Sequence, residues 1–268
     1  MRKVLFTITV LFLLAAFGVS AFMVGNYLIE GKEQEDRYNE LASIAQGNDT
    51  RPPVTTAETS WTQPSVEPTE EKTITKPGML SGYEALYEMN SDFVGWLSIP
   101  GTQLDYPVMQ TPQEPNFYLY RDFDKNDSAR GSIYAREDCN INEPSDNITL
   151  YGHNMKDGSM FAALNNYVYK ETWEDNSLIF FDTLTEYHTY KIFAVFTTSA
   201  NLGEGFRYHV FVDAESEAEF DEFVKTCKDL SLYDTGITPV YGDKLICLST
   251  CEYSHDNGRL VVAAVRIT

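Results

Sequence analysis

The chain reads as mainly β: an eight-stranded, closed or nearly closed barrel with short helices, set behind one N-terminal membrane-crossing helix. Three observations predict this. Residues Val4 to Ile29 carry no charged side chain. From Phe93 onward the sequence falls into short apolar runs broken by Gly, Pro, Asn and Asp, eight of them with strand length and composition. The 17 Tyr and 16 Phe among 268 residues favour pleated, half-buried surfaces. Eight short strands with tight connections favour closure, which leaves no edge unpaired.

The uncharged run spans 26 residues, and a bilayer-crossing helix needs roughly 20. Arg2 and Lys3 precede it, so residues 1–3 are expected in the cytoplasm and everything after residue 29 on the outer side of the cell membrane. A cleaved signal peptide is the rival reading, with Val19-Ser20-Ala21 as a passable cleavage site. The apolar run continues eight residues past that site, which favours an anchor at residues 4–29. Residues 30–78 read as a tether. Gly31 to Gln46 is highly charged and suits a helical stalk. Gly47 to Gly78 is rich in Pro, Thr, Ser and Glu, a composition that cannot bury a core and is expected to be disordered.

The folded domain is expected over residues 79–268. Tyr83, Leu86, Tyr87 and Met89 sit at helical spacing, so Gly82 to Asn90 reads as a short amphipathic helix. The candidate strands are Val94–Ile99, Gln103–Met109, Gly131–Ala135, Ile148–Gly152, Ser177–Asp182, Tyr187–Thr197, Asp243–Ser249 and Arg259–Ile267. A short helix is expected over Met160–Leu164, with Ser159 as its cap. A longer one is expected over Ala214–Leu230, where Phe220, Phe223, Val224 and Cys227 recur at i, i+3, i+4 and i+7.

Charge narrows the function. Residues 1–29 hold two of the 20 basic residues and none of the 40 acidic ones, so the remainder is strongly acidic. That argues against nucleic acid and anionic membrane surfaces as partners. No Cys/His spacing suits zinc, so no metal is expected. Nothing in the sequence calls for a cofactor.

The chemistry concentrates near the C-terminus. Leu248-Ser249-Thr250-Cys251 brings an apolar strand to a thiol, and Arg259 opens the next apolar run, Leu260 to Val265. A hairpin would face the two ends, supplying a nucleophile and a cation for a developing oxyanion. Cys227 and Cys247 fit buried apolar positions, and Cys139 sits among polar loop residues where exposure is expected. An acid/base is also needed, and histidine titrates near neutral pH. Of His153, His188, His209 and His255, His153 stands at a strand end, where functional side chains concentrate. His255, within the loop between Cys251 and Arg259, is the competitor, because such sites are recognised by geometry and not by sequence distance.

These residues resemble the sortase family, the membrane-anchored cysteine transpeptidases of Gram-positive bacteria. The family signature Thr-Leu-x-Thr-Cys is matched by Cys247-Leu248-Ser249-Thr250-Cys251, with Cys in place of the first Thr. The family's Gly-His-Asn segment is matched by Gly152-His153-Asn154, and its strand-initial arginine by Arg259. The helical lead-in to Asp92-Phe93-Val94-Gly95-Trp96-Leu97, the Asp105-Tyr106-Pro107-Val108 strand and the Ala214–Leu230 helix are most similar to class B.

The resemblance implies a sortase-type barrel and a transpeptidase. In this reading Cys251 attacks a Thr carbonyl in a C-terminal sorting motif of a secreted protein, His153 protonates the departing amine, and Arg259 holds the oxyanion or the substrate carbonyl. A peptidoglycan-precursor amine then resolves the thioester, anchoring the protein to the cell wall. Ser249, Thr250 and Glu252 would line the motif pocket, with contributions from Asn116, Leu119 and Tyr208. The competing readings are a cysteine peptidase or amidase that uses water, and a non-catalytic surface barrel that binds a wall component.

Overall fold

The computed structural model describes residues 2–47, 51, 78–201, 203–252 and 257–268, with the backbone alone at Glu252. The chain divides into two compact units, Met1–Ser43 and Ile44–Thr268.

The first unit belongs to a single helix, α1 (Arg2–Gln46). An 18-residue window within it has a mean hydropathy of 2.4. The helix is therefore long and apolar enough to cross a membrane, consistent with an anchor. The charged stretch from Gly31 continues the same helix.

The second unit is a closed barrel. Its strands are β1 (Phe93–Ser98), β2 (Asp105–Met109), β3 (Ile133–Ala135), β4 (Asn147–Tyr151), β5 (Leu178–Thr183), β6 (Thr189–Ser199), β7 (Leu245–Glu252) and β8 (Gly258–Arg266). They close in the order β1-β2-β3-β4-β7-β8-β6-β5, with β5 returning to β1. The β2–β3 and β4–β7 pairs are parallel and the others antiparallel. All eight expected strands are present. The largest boundary shift is in β7, which runs on through Cys251 to Glu252 because β8 pairs alongside it to the last residue, Glu252 against Gly258.

The helices are α2 (Ser81–Met89), α3 (Lys170–Asp175) and α4 (Glu217–Leu230). The start of α4 follows from Ser216, whose hydroxyl accepts from the Glu219 N–H while the Glu219 carboxylate accepts from the Glu215 N–H. The short helix expected at Met160 is a 3-10 helix, Phe161–Val168, and Ser159 does not cap it. The Ser159 hydroxyl donates instead to Asp157 at 2.7 Å. Helix α3 and the 3-10 turns Phe117–Tyr120 and Tyr208–Val210 carry too little periodicity to be read from sequence.

A continuous apolar layer lies between the barrel and α4. It joins Phe220, Phe223, Val224 and Cys227 of the helix to Leu245 and Cys247 of β7 and to Val261, Ala263 and Val265 of β8. Phe211 stacks on Phe223 with ring centroids 4.1 Å apart. The intervening β8 residues, Leu260, Val262 and Ala264, are equally buried, so this strand is apolar on both faces and reads as an unbroken hydrophobic run.

Within the linker expected over Gly47–Gly78, residues 48–77 lie outside the described residues with one exception, Arg51. Its guanidinium lies over the Phe180 ring at 4.0 Å, pairs with the buried Asp182 carboxylate and donates to the His188 carbonyl. Burial lowers its pKa to about 10. His188 stands just before β6, not within it.

Candidate active site

The two candidate reactive ends meet across one hairpin. Cys251 in β7 is the direct partner of Arg259 in β8. Side chains alternate along a strand, and Cys247, Val261, Ala263 and Val265 all face the α4 layer. Cys251 and Arg259 share that parity, so they point to the same face of the sheet. Both are half-buried.

The third candidate arrives from the other side. Strand β4 pairs with β7 in parallel, Tyr151 against Ser249. Two residues further on are Cys251, still within β7, and His153, beyond the end of β4. The Gly152 N–H donates to the Ser249 carbonyl (3.3 Å), and the Thr250 hydroxyl donates to the Gly152 carbonyl (2.8 Å). Gly152 is required here by close packing: a Cβ would lie 2.5 Å from Ile133 Cδ1 and 2.7 Å from Phe161 Cγ. The thiol at residue 251 is thus flanked by Arg259 on one strand and by the His153 segment on the other.

His153 is oriented from outside the sheet. Its Nε2 lies 2.8 Å from the Leu119 carbonyl, at the 3-10 turn Phe117–Tyr120. A carbonyl can only accept, so Nε2 carries a proton, and in the neutral imidazole it is Nδ1 that keeps the lone pair. Gly131 maintains this contact, since a Cβ there would stand 2.4 Å from the Leu119 oxygen. The exposed Tyr120 ring lies 5.5 Å from the imidazole. Tyr120 carried no distinguishing signal in the sequence.

The four thiols separate by environment. Cys227 and Cys247 are fully buried, and burial raises both thiol pKa values. Cys139 was expected to be exposed but is buried, with Sγ 3.6 Å from the Asn147 carbonyl, because its loop folds back over the start of β4. Burial pushes its pKa up to about 11. None of the four forms a disulfide, and Cys251 is the least buried of them.

The residues expected to line a motif pocket occupy two settings. Ser249, Thr250 and Tyr208 are buried. The Tyr208 hydroxyl and the Ser249 hydroxyl are 2.5 Å apart, and burial pushes the Tyr208 pKa up to about 12. Asn116 is exposed, at positive φ, and accepts from the Tyr134 hydroxyl at 3.0 Å. Leu119 is half-buried and meets His153 through its main chain. The Glu252 side chain and His255 lie outside the described residues. His188 and His209 stand on other segments, and burial lowers both of their pKa values. Among the described residues, no group of three or more His, Cys, Asp or Glu is placed to hold a metal ion.

Sequence reading also passed over Asn154 and Asn165. The Asn154 amide donates to the Cys251 carbonyl at 2.9 Å, and Asn165 donates to Asn154 at 2.8 Å. Asn154 was visible in the Gly-His-Asn segment. Asn165 had no local signal.

Fold and rim geometry together define a class: a closed β-barrel presenting a half-buried thiol beside a guanidinium, on a face flanked by an imidazole-bearing segment. Known proteins narrow it. The sortase domain model matches residues 97–267. Sortase B of Listeria monocytogenes is 34% identical over 187 residues, covering 68% of this chain and 73% of that protein. Sortase B of Staphylococcus aureus is 29% identical over 184 residues, with coverage of 68% and 73%. Among solved structures, a Staphylococcus aureus sortase B–substrate complex superposes with a TM-score of 0.71 at 25% identity, over 89% of this chain and 98% of that one. Bacillus anthracis sortase B in complex with AAEK1 gives a TM-score of 0.70 at 26% identity, over 89% and 98%. The chain belongs to the sortase family of cysteine transpeptidases, and it is most similar to class B. Its role is that of a cell-wall sortase acting on proteins that carry a sorting motif.

Proposed function

We propose that the chain cleaves a C-terminal sorting motif after Thr and joins the acyl fragment to a peptidoglycan-precursor amine. The observation that carries this is the placement of Cys251 opposite Arg259 on one face of the β7–β8 hairpin, with His153 two residues beyond the last β4–β7 pair.

In the first step, the Cys251 proton passes to His153 Nδ1, the nitrogen left free by the Nε2–H bond to Leu119. The sulfur attacks the Thr carbonyl carbon, and Arg259 stabilises the oxyanion. Collapse breaks the peptide bond. His153 returns the proton to the departing amine, leaving a thioester on Cys251. In the second step the acceptor amine attacks the thioester and gives its proton to His153, which hands it to the departing Cys251 sulfur. Water can replace the amine, and the acyl fragment is then lost as an acid.

Exposed Asn116 is suited to meet the motif directly, as is Glu252 by its position next to the nucleophile. Buried Ser249, Thr250 and Tyr208 are suited to hold the groove wall, and Leu119 to orient His153. Residues 4–29 serve as the anchor, with residues 1–3 cytoplasmic and the catalytic domain, residues 79–268, outside. Anchoring places the enzyme where secreted proteins and a lipid-linked amine both arrive, and so raises their effective concentration.

The test is a library of quenched Thr-containing motif peptides, incubated with the full chain in detergent, with and without a panel of primary amines. A new amide product that depends on the amine is expected. Hydrolysis alone, whichever amine is supplied, would instead establish a water-using peptidase. Unchanged turnover in Cys251→Ala would overturn Cys251 as the nucleophile, and no turnover of any peptide by the wild-type chain would leave a non-catalytic barrel.

A further inference from the structure

We infer that Asn154 is a positioning residue for the nucleophile, acting through the Cys251 carbonyl and supported by Asn165. The inference rests on the reading of Cys251 as the nucleophile.

The parallel β4–β7 ladder ends with the Gly152 N–H donating to the Ser249 carbonyl. In a parallel ladder the bonds are evenly spaced, two residues apart. The next rung would run from the Asn154 N–H to the Cys251 carbonyl. It is not made by the backbone, because Asn154 forms an isolated bridge with Met160 and the chain turns away from the sheet. The Asn154 side chain makes it instead, with Nδ2 2.9 Å from the Cys251 carbonyl oxygen. The same residue thus closes the rung while its backbone releases His153 from the sheet.

The amide orientations are mutually determined. The Cys251 carbonyl accepts only, so the Asn154 atom facing it is the NH2 group. Asn154 Oδ1 is then an acceptor, and Asn165 Nδ2 donates to it at 2.8 Å and to the Ala162 carbonyl at 2.9 Å. Asn154 Nδ2 also lies 3.3 Å from Asn165 Oδ1. An aspartate could accept from Asn165 but could not donate to Cys251. Both ends of the device attach to the 3-10 helix Phe161–Val168: Asn165 belongs to it, and the Phe161 N–H donates to the His153 carbonyl at 2.9 Å.

The consequence is a fixed spacing between nucleophile and acid/base. On its other side Cys251 is held by β8. With Asn154 in place, its backbone is tied from both neighbours just before the β7–β8 connection begins. Displacements of about 1 Å at a reacting atom lower rates on the order of a hundredfold.

The experiment uses the full chain in detergent and a Thr-containing peptide selected from the library above. Asn154→Asp and Asn154→Ala are expected to lower kcat about ten- to a hundredfold with KM within about twofold. Asn165→Ala is expected to lower kcat several-fold, and the Asn154→Ala/Asn165→Ala double variant to be no slower than Asn154→Ala, since the two act as one unit. Wild-type kcat in Asn154→Asp, or fully additive losses in the double variant, would overturn the inference. Should Asn154→Ala fail to fold, Asn165→Ala decides the matter: a lowered melting temperature with unchanged kcat would mean a purely structural role. Cys251→Ala runs in parallel. If it retains turnover, the nucleophile assignment fails, and that result is distinct from inert Asn154 variants beside an inactive Cys251→Ala.

Discussion

Cys247 and Cys251 lie four residues apart on one strand and point to the same face, yet their surroundings oppose each other. Cys247 sits under α4 among Phe193, Phe220 and Val261, fully buried, with its thiol pKa raised by that burial. Cys251 stands at the barrel rim, half-buried, opposite Arg259 and tied to Asn154. A thiol's character here is set by how far along the strand the apolar layer extends, and not by the strand or its face. The layer stops at Ser249, whose hydroxyl meets Tyr208. Beyond it the same face turns polar.

The sharpest way to break this contrast is to exchange the two thiols' fates. Cys251→Ala is expected to lower turnover at least about a thousandfold, because no other group supplies the nucleophile. Cys247→Ala is expected to leave turnover within a few-fold of wild type. Peptide turnover by both variants checks this directly, and equal losses would erase the distinction. Native alkylation gives a second reading: intact mass after brief iodoacetamide treatment is expected to show one adduct, rising to four only on unfolding, because the three buried thiols are shielded.

Next in size is the cation. Arg259→Lys keeps the charge but loses the planar fork, and a drop of about a hundredfold in kcat is expected. Its melting temperature is expected to stay within a few degrees of wild type, since Arg259 is half-buried at the rim. Near-normal kcat would assign Arg259 to packing and place the rim and the α4 layer on the same footing.

The inert half of the comparison can be stressed through Cys247→Ser. A hydroxyl at a fully buried position surrounded by aromatic and aliphatic groups is expected to cost about 1–3 kcal/mol of stability. Chemical denaturation measures it, and turnover at low temperature is expected to survive. Tolerance of serine without loss would mean that the layer beneath α4 admits water.

How much of this was legible beforehand follows the same divide. The β7–β8 hairpin and α4 were readable because apolar period, strand length and an i, i+3, i+4, i+7 stripe are local signals. So was the Cys251–Arg259 facing, which a short hairpin fixes. His153 was legible as a strand-end residue, but not the Leu119 carbonyl that orients it, because a main-chain contact across 34 residues leaves no mark on side-chain identity. Asn165 was hidden for a similar reason: its partner Asn154 is 11 residues away across an irregular turn. Cys139 misled because loop composition predicts exposure, whereas a loop that folds over a strand buries its small apolar members.

The smallest expected effect lies away from the rim, at Arg51. Asp182 is buried and accepts from the Tyr83 hydroxyl and the His188 N–H, with Arg51 as its ion-pair partner. Removing the guanidinium in Arg51→Ala leaves a buried carboxylate with two neutral donors, and hydrogen bonds to charged groups are worth about 1.5–3 kcal/mol. The remaining donors offset part of that, and for a domain of this size each kcal/mol shifts the melting temperature by about 2–4 °C. A decrease of only a few degrees is therefore expected, with kcat and KM unchanged. Asp182→Asn, which removes the charge along with the need for its partner, is expected to be milder still when combined with Arg51→Ala than either change predicts alone. Loss of turnover in Arg51→Ala at an unchanged melting temperature would show that this corner of the barrel communicates with the rim, and the separation between structural and chemical regions drawn from the two thiols would no longer hold.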